Sequence, residues 1–74
     1  MKKFKVVAQS TILDAEINCR DLDEATALFF TFKSNGSYSK VYIVDNETGE
    51  LYRTYDIAIV GGGVEVTEWA SLSI

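Results

Sequence analysis

Apolar and polar residues alternate from the first turn of the chain. Phe4, Val6 and Ala8 interleave with Lys3, Lys5 and Val7, a period of two that fits a half-buried strand. After a weak turn signal at Ser10 and Thr11, Leu13, Ala15, Ile17 and Cys19 interleave with Asp14, Glu16, Asn18 and Arg20. One face of that segment is apolar and the other polar throughout, the cleanest strand pattern in the chain.

The period changes at Asp21. Asp21 stands three residues before Glu24, a capping-box-like start, and the acids of this first turn suit the helix dipole. Leu22, Ala25, Leu28, Phe29 and Phe32 follow at helical spacing as one stripe, and Asn35 with Gly36 supplies a left-handed stop. The spacing predicts a helix over about residues 22–34.

Beyond it the period of two returns. Residues 40–44 are β-branched and aromatic, a good strand. Residues 45–50 form a polar run in which Gly49 can take positive φ without strain, as a hairpin with a type I turn and a glycine bulge requires. Residues 51–60 continue as a long strand, expected to bend near Asp56. Three glycines break it, and residues 64–69 alternate again as a final strand.

The expected architecture is α+β: an antiparallel sheet of four to five strands with one helix packed on one face, in the order ββαββ(β), as a single domain over residues 1–74. Leu28, Phe29 and Phe32 are expected to pack on the face of Leu13, Ala15 and Ile17. Residues 41–50 resemble a strand–turn–strand piece common in small bacterial and phage proteins, and are similar to a hairpin of sensory PAS domains. That resemblance covers about ten residues. The chain is shorter than a PAS domain and orders its elements differently, so no family is assigned.

Composition narrows the picture. Apolar residues make up 47% of the 74, with four Phe, four Tyr and one Trp, which suffices for one compact core. A chain of this length buries only roughly 60% of its unfolded surface, so its stability margin is thin and a second subunit or partner can add to it. The basic, then apolar, start is interrupted at Gln9, too early for a signal sequence, and no stretch approaches the ~20 apolar residues that span a bilayer. One cysteine excludes an internal disulfide, and a cytoplasmic setting is expected. From Val6 onward four cations face eleven carboxylates, a net of −7. Such a body repels phosphate backbones, so nucleic acid is not expected as a direct ligand, whereas a basic protein partner approaches it easily.

Candidate chemistry is sparse. There is no histidine to serve as a base, and Cys19 is in phase with Leu13, Ala15 and Ile17, which marks it as a core residue. One Cys and no His exclude ordinary zinc and copper sites, and Asp45, Asn46 and Glu47 lack the ligand spacing of a calcium loop. Residues 56–63 look like the opening strand and glycine turn of Rossmann-type nucleotide-binding proteins. Only eleven residues follow Gly63 and they read as strand, so the glycines are expected to form a turn. Tyr42, Tyr52, Arg53 and Tyr55 mix aromatics with a cation, but nearby carboxylates favour cross-strand packing over base stacking.

These readings predict a non-enzymatic protein with no catalytic residue, cofactor or metal. It would act as a small acidic inhibitor or adaptor of bacterial, phage or mobile-element type that docks on another macromolecule. The alternatives are a homodimeric assembly subunit and a binder of a small nucleotide-type molecule. Its candidate surface comprises Phe30, set off the helix stripe beside Asp23 and Ala27, together with Asp14, Glu16, Arg20, Tyr42, Tyr52 and Arg53. Val7, Ile12, Tyr42, Val44 and Tyr52 are assigned to the sheet face away from the helix. Cover for that face is expected from residues 69–74 or from a second chain.

Overall fold

In the computed structural model, which describes residues 3–70, five strands and one helix follow one another as β1 (Phe4–Gln9), β2 (Asp14–Cys19), α1 (Leu22–Asn35), β3 (Lys40–Asp45), β4 (Leu51–Val60) and β5 (Gly63–Ala70). The strands make one antiparallel sheet in the spatial order β2-β1-β3-β4-β5, with the helix against one face. No helix among the described residues is long and apolar enough to cross a membrane.

Local chemistry sets the element ends. The Ser10 hydroxyl accepts from the Leu13 amide at 3.0 Å and closes the β1–β2 turn. Asp21 caps the helix by accepting from the Glu24 amide at 2.8 Å, while the Glu24 carboxylate accepts from the Arg20 amide at 3.4 Å. Gly36, at φ 78°, ends the helix in the left-handed conformation that a side chain disfavours. In the β3–β4 turn the Asp45 carboxylate accepts from the amides of Glu47 and Thr48 at 2.7 and 3.1 Å, and Gly49 sits at φ 79°.

Helix α1 carries the chain from the β2 edge across β1 to β3, which leaves β1 at the centre of the core. Val6 and Ala8 of β1, Val41 and Ile43 of β3, Cys19 of β2 and Ala25 and Phe29 of the helix are all buried together. The helix lies on the sheet face that carries Ala15 and Ile17, as the sequence suggests, but it is centred over β1 and β3 and covers little of β2. Leu13 precedes β2 and is exposed, Ile17 is also exposed at the sheet margin, and only Ala15 packs against the core. The physical reason is nonlocal: a central strand is covered from both sides, and alternation within β2 cannot reveal that β2 is an edge.

Strand β4 is continuous through Asp56; the irregularity falls near its start instead. Ile43 faces Arg53 and Val44 faces Leu51, so Tyr52 is the extra residue of a β-bulge. The bulge turns Tyr52 onto the helix side, where its ring meets Phe4 edge-on at 5.4 Å, rather than onto the opposite face where strict alternation would put it. Ile12 lies at the exposed tip of the β1–β2 turn and on neither face.

Candidate functional site

The residues singled out from the sequence do not meet on one surface. Asp14 and Glu16 lie on the outer face of edge strand β2, with Glu16 paired to Lys5 at 3.5 Å, and Arg20 is exposed in the link to the helix. Tyr42 lies on the outer face of β3. Tyr52, Arg53 and Phe30 lie on the helix side. Phe30 does not point away from the sheet: its ring sits under the Arg53 guanidinium at 5.1 Å and near the Lys33 ammonium at 5.7 Å, and meets Phe29 edge-on. It remains 42% exposed. Lys33 also lies 5.2 Å from the Tyr55 ring and pairs with Glu68 of β5 at 2.7 Å, which ties the helix flank to the last two strands.

Two arrangements that the sequence did not signal stand out. The first is a projecting ribbon. Strand β3 begins at Lys40, which faces Asp56, and the Ile57 amide donates to the Ser39 carbonyl at 2.8 Å. Past that point residues 57–60 of β4 pair only with residues 63–66 of β5, so the hairpin extends about 13 Å beyond the rest of the sheet. Gly61 and Gly62, at φ 58° and 84°, form its two-residue turn, the geometry that matches the right-handed twist of a hairpin. Ile57 faces Val66 and Ile59 faces Val64, on the same side as Tyr55 and Glu68. Beyond the helix this whole face is apolar: Ile59 is 81% exposed, Val64 71% and Val66 55%. The opposite face carries Asp56, Ala58, Glu65 and Thr67, with Val60, 58% exposed, at its tip. Among the described residues β5 borders no other strand on its outer side, which leaves a row of backbone donors and acceptors open.

The second is a hollow on the outer sheet face. Lys40, Tyr42, Leu51, Thr54 and Trp69 line it, enclosing about 320 Å³. Trp69 thus lies on the face where the sequence leads one to expect cover, while residues 71–74 lie outside the described residues. Val7, beside Tyr42 on this face, is buried.

Cys19 is buried in the core, as its phase suggests. Among the described residues no group of three His, Cys, Asp or Glu side chains lies close enough together to hold a metal ion. No family model, curated protein or solved structure matches this chain.

Proposed function

We propose that this chain is a non-catalytic binding module that docks on another protein through the apolar face of its β4–β5 ribbon, with Phe30 at the near end of that face. The exposure of Ile59, Val64 and Val66 together on one side of a projecting hairpin carries the reading. Scattered apolar residues are ordinary on a protein surface, but a contiguous exposed strip of branched aliphatic side chains is the mark of an interface. The open edge of β5 would add backbone hydrogen bonds to a strand of the partner, and the paired apolar side chains would give selectivity. The net charge of −4 favours a partner with basic residues around its own apolar strip. An inhibitor or adaptor working in the cytoplasm is the role that fits such a module. The same open edge supports a second reading, in which β5 pairs with β5 of a second copy.

Affinity purification with the wild-type chain and with an Ile59→Lys/Val64→Lys variant tests the proposal, with light scattering run on both. Binding of a stoichiometric partner that the variant loses while keeping its circular dichroism spectrum supports docking. A dimer that the variant converts to a monomer supports self-association. A wild-type chain that is monomeric and retains nothing the variant does not retain refutes both.

A further inference from the structure

Helix α1 packs on β1 and β3, with β2 at its margin, so among the described residues the same face of β4 and β5 carries no layer of its own. The midline of β4 and β5 lies two strand spacings, about 9.6 Å, from the midline of β1 and β3 beneath the helix. Packed helices lie about 8–10 Å apart, so the bare half has the width of one helix set beside α1. Its length fits as well. Arg53 to Ile59 spans about 20 Å of strand, which a helix covers in about 13 residues. Ile57 and Ile59 with Val64 and Val66 make an apolar floor, and Phe30, 42% exposed, makes the side wall.

One polar demand sits at the near end of this groove. The Arg53 guanidinium is held 5.6 Å from the Phe29 ring and 5.1 Å from the Phe30 ring, and no carboxylate among the described residues pairs with it. The neighbouring Lys33 is already engaged by Glu68. A guanidinium offers its N–H donors in a fixed fork that matches a carboxylate, and the two rings hold it in place beforehand.

From the width, the apolar floor and Arg53, we infer that the occupant of the β4–β5 face is one amphipathic helix of the partner protein, lying beside α1 with an Asp or Glu at the end that meets Arg53. The inference rests on the docking reading above and names the element that docks. A strand seats on the β5 edge rather than on this face, because the edge presents backbone donors and acceptors and the face presents side chains. A second copy supplies no such helix. The outer side of α1 carries Asp23, Ala27 and Thr31, and among the described residues the one carboxylate on the β4–β5 face, Glu68, is held by Lys33. The acidic body suits a partner that is basic around this helix, while the groove itself selects an acid at one position.

Two displayed peptide libraries, selected on the immobilised full chain, test the inference. One fixes Leu at helical spacing, the other fixes the same number of Leu residues at a period of two, and both randomise every other position. The helical library should be enriched well above the alternating one, with Asp or Glu recurring at one end of the Leu stripe. The enriched peptide, synthesised and titrated, should become helical in circular dichroism as it binds. Val66→Lys, at a side chain 55% exposed and outside the core, should weaken that peptide roughly tenfold or more. Arg53→Met, which keeps an aliphatic stem over the two rings, should weaken it by a similar factor and leave its acid-to-Gln counterpart within about twofold. Equal or greater enrichment of the alternating library would overturn the helix and leave the docking reading standing, as would a chain that self-associates through this face. Helical peptides indifferent to Val66→Lys, or acidic ones indifferent to Arg53→Met, would overturn the placement of the helix on Arg53 and the ribbon. Enrichment of neither library would overturn the helix as well, and the docking reading falls with it only if the chain is also monomeric and retains no partner in affinity purification.

Discussion

Replacing Phe29 with Ala, beside replacing its neighbour Phe30 with Ala, probes the rotation of the helix on the sheet. Successive helical residues point about 100° apart, so the two rings sample different environments from nearly the same place in the chain. Phe29 is fully buried among Val6, Ala8, Val41 and Ile43, with the Arg53 guanidinium 5.6 Å from its ring. Truncation of a buried Phe costs about 3–5 kcal/mol. A chain of this length has about 4–11 kcal/mol in total, so most of the stability would go. For Phe30, half covered and held by two cations and one ring edge, roughly 1–2 kcal/mol is expected. Urea unfolding followed by circular dichroism reads both changes. With a slope near 1 kcal/mol/M, the midpoint should fall by about 3 M or more for Phe29→Ala, leaving it unfolded or nearly so in water. The Phe30→Ala midpoint should fall by about 1–2 M. Equal shifts for the two, or a larger shift for Phe30→Ala, would place the wrong helix face on β1 and β3.

Further outcomes follow from the turns, the cap and the one ion pair between helix and ribbon. Gly62→Val forces a β-branched side chain to φ 84° and should loosen the ribbon pairing, seen as faster amide exchange confined to residues 57–66, with the core amides unchanged. Asp21→Ala removes the hydroxyl-free carboxylate cap of the helix and should lower stability by about 1 kcal/mol in urea unfolding, whereas Asp21→Asn should be nearly neutral. A double-mutant cycle on Lys33→Met and Glu68→Gln should give a coupling of about 0.2–1 kcal/mol that shrinks in molar salt, because both side chains are about a third exposed.

Much of this fold is legible in the sequence where the determinants are local. The period of two in β1 and β2, the Asp21 cap, the left-handed Gly36 and the positive φ of Gly49 each depend on a handful of neighbouring residues, and each element lies within a residue or two of its expected place. What the sequence concealed depends on pairing. Ile17 alternates like a core residue, yet it is exposed because the helix crosses beyond β2 to reach β3. A single bulge reverses Tyr52, and no residue near it announces the bulge. Residues 57–60 and 64–66 read as ordinary strand, since their exposure comes from β3 starting only at Lys40, a property of another strand. The hollow on the outer face is less visible still: Tyr42, Thr54 and Trp69 are 12 and 15 residues apart in sequence, and only the register of two strand pairs brings them into one row.

The claim that the ribbon is an interface is tested most directly by comparing its two faces. Ile59 and Ala58 are adjacent on β4 and point to opposite sides, so Ile59→Lys and Ala58→Lys introduce the same charge at nearly the same position. Binding of the captured partner, or the dimer constant where the chain self-associates, is measured for both variants by calorimetry or light scattering. Ile59→Lys should weaken association by roughly 10- to 150-fold, the equivalent of losing about 1.5–3 kcal/mol of side-chain burial, while Ala58→Lys stays within about threefold of the wild type. Equal effects of the two substitutions, or a stronger effect of Ala58→Lys, would contradict the assignment of the apolar face as the surface that binds.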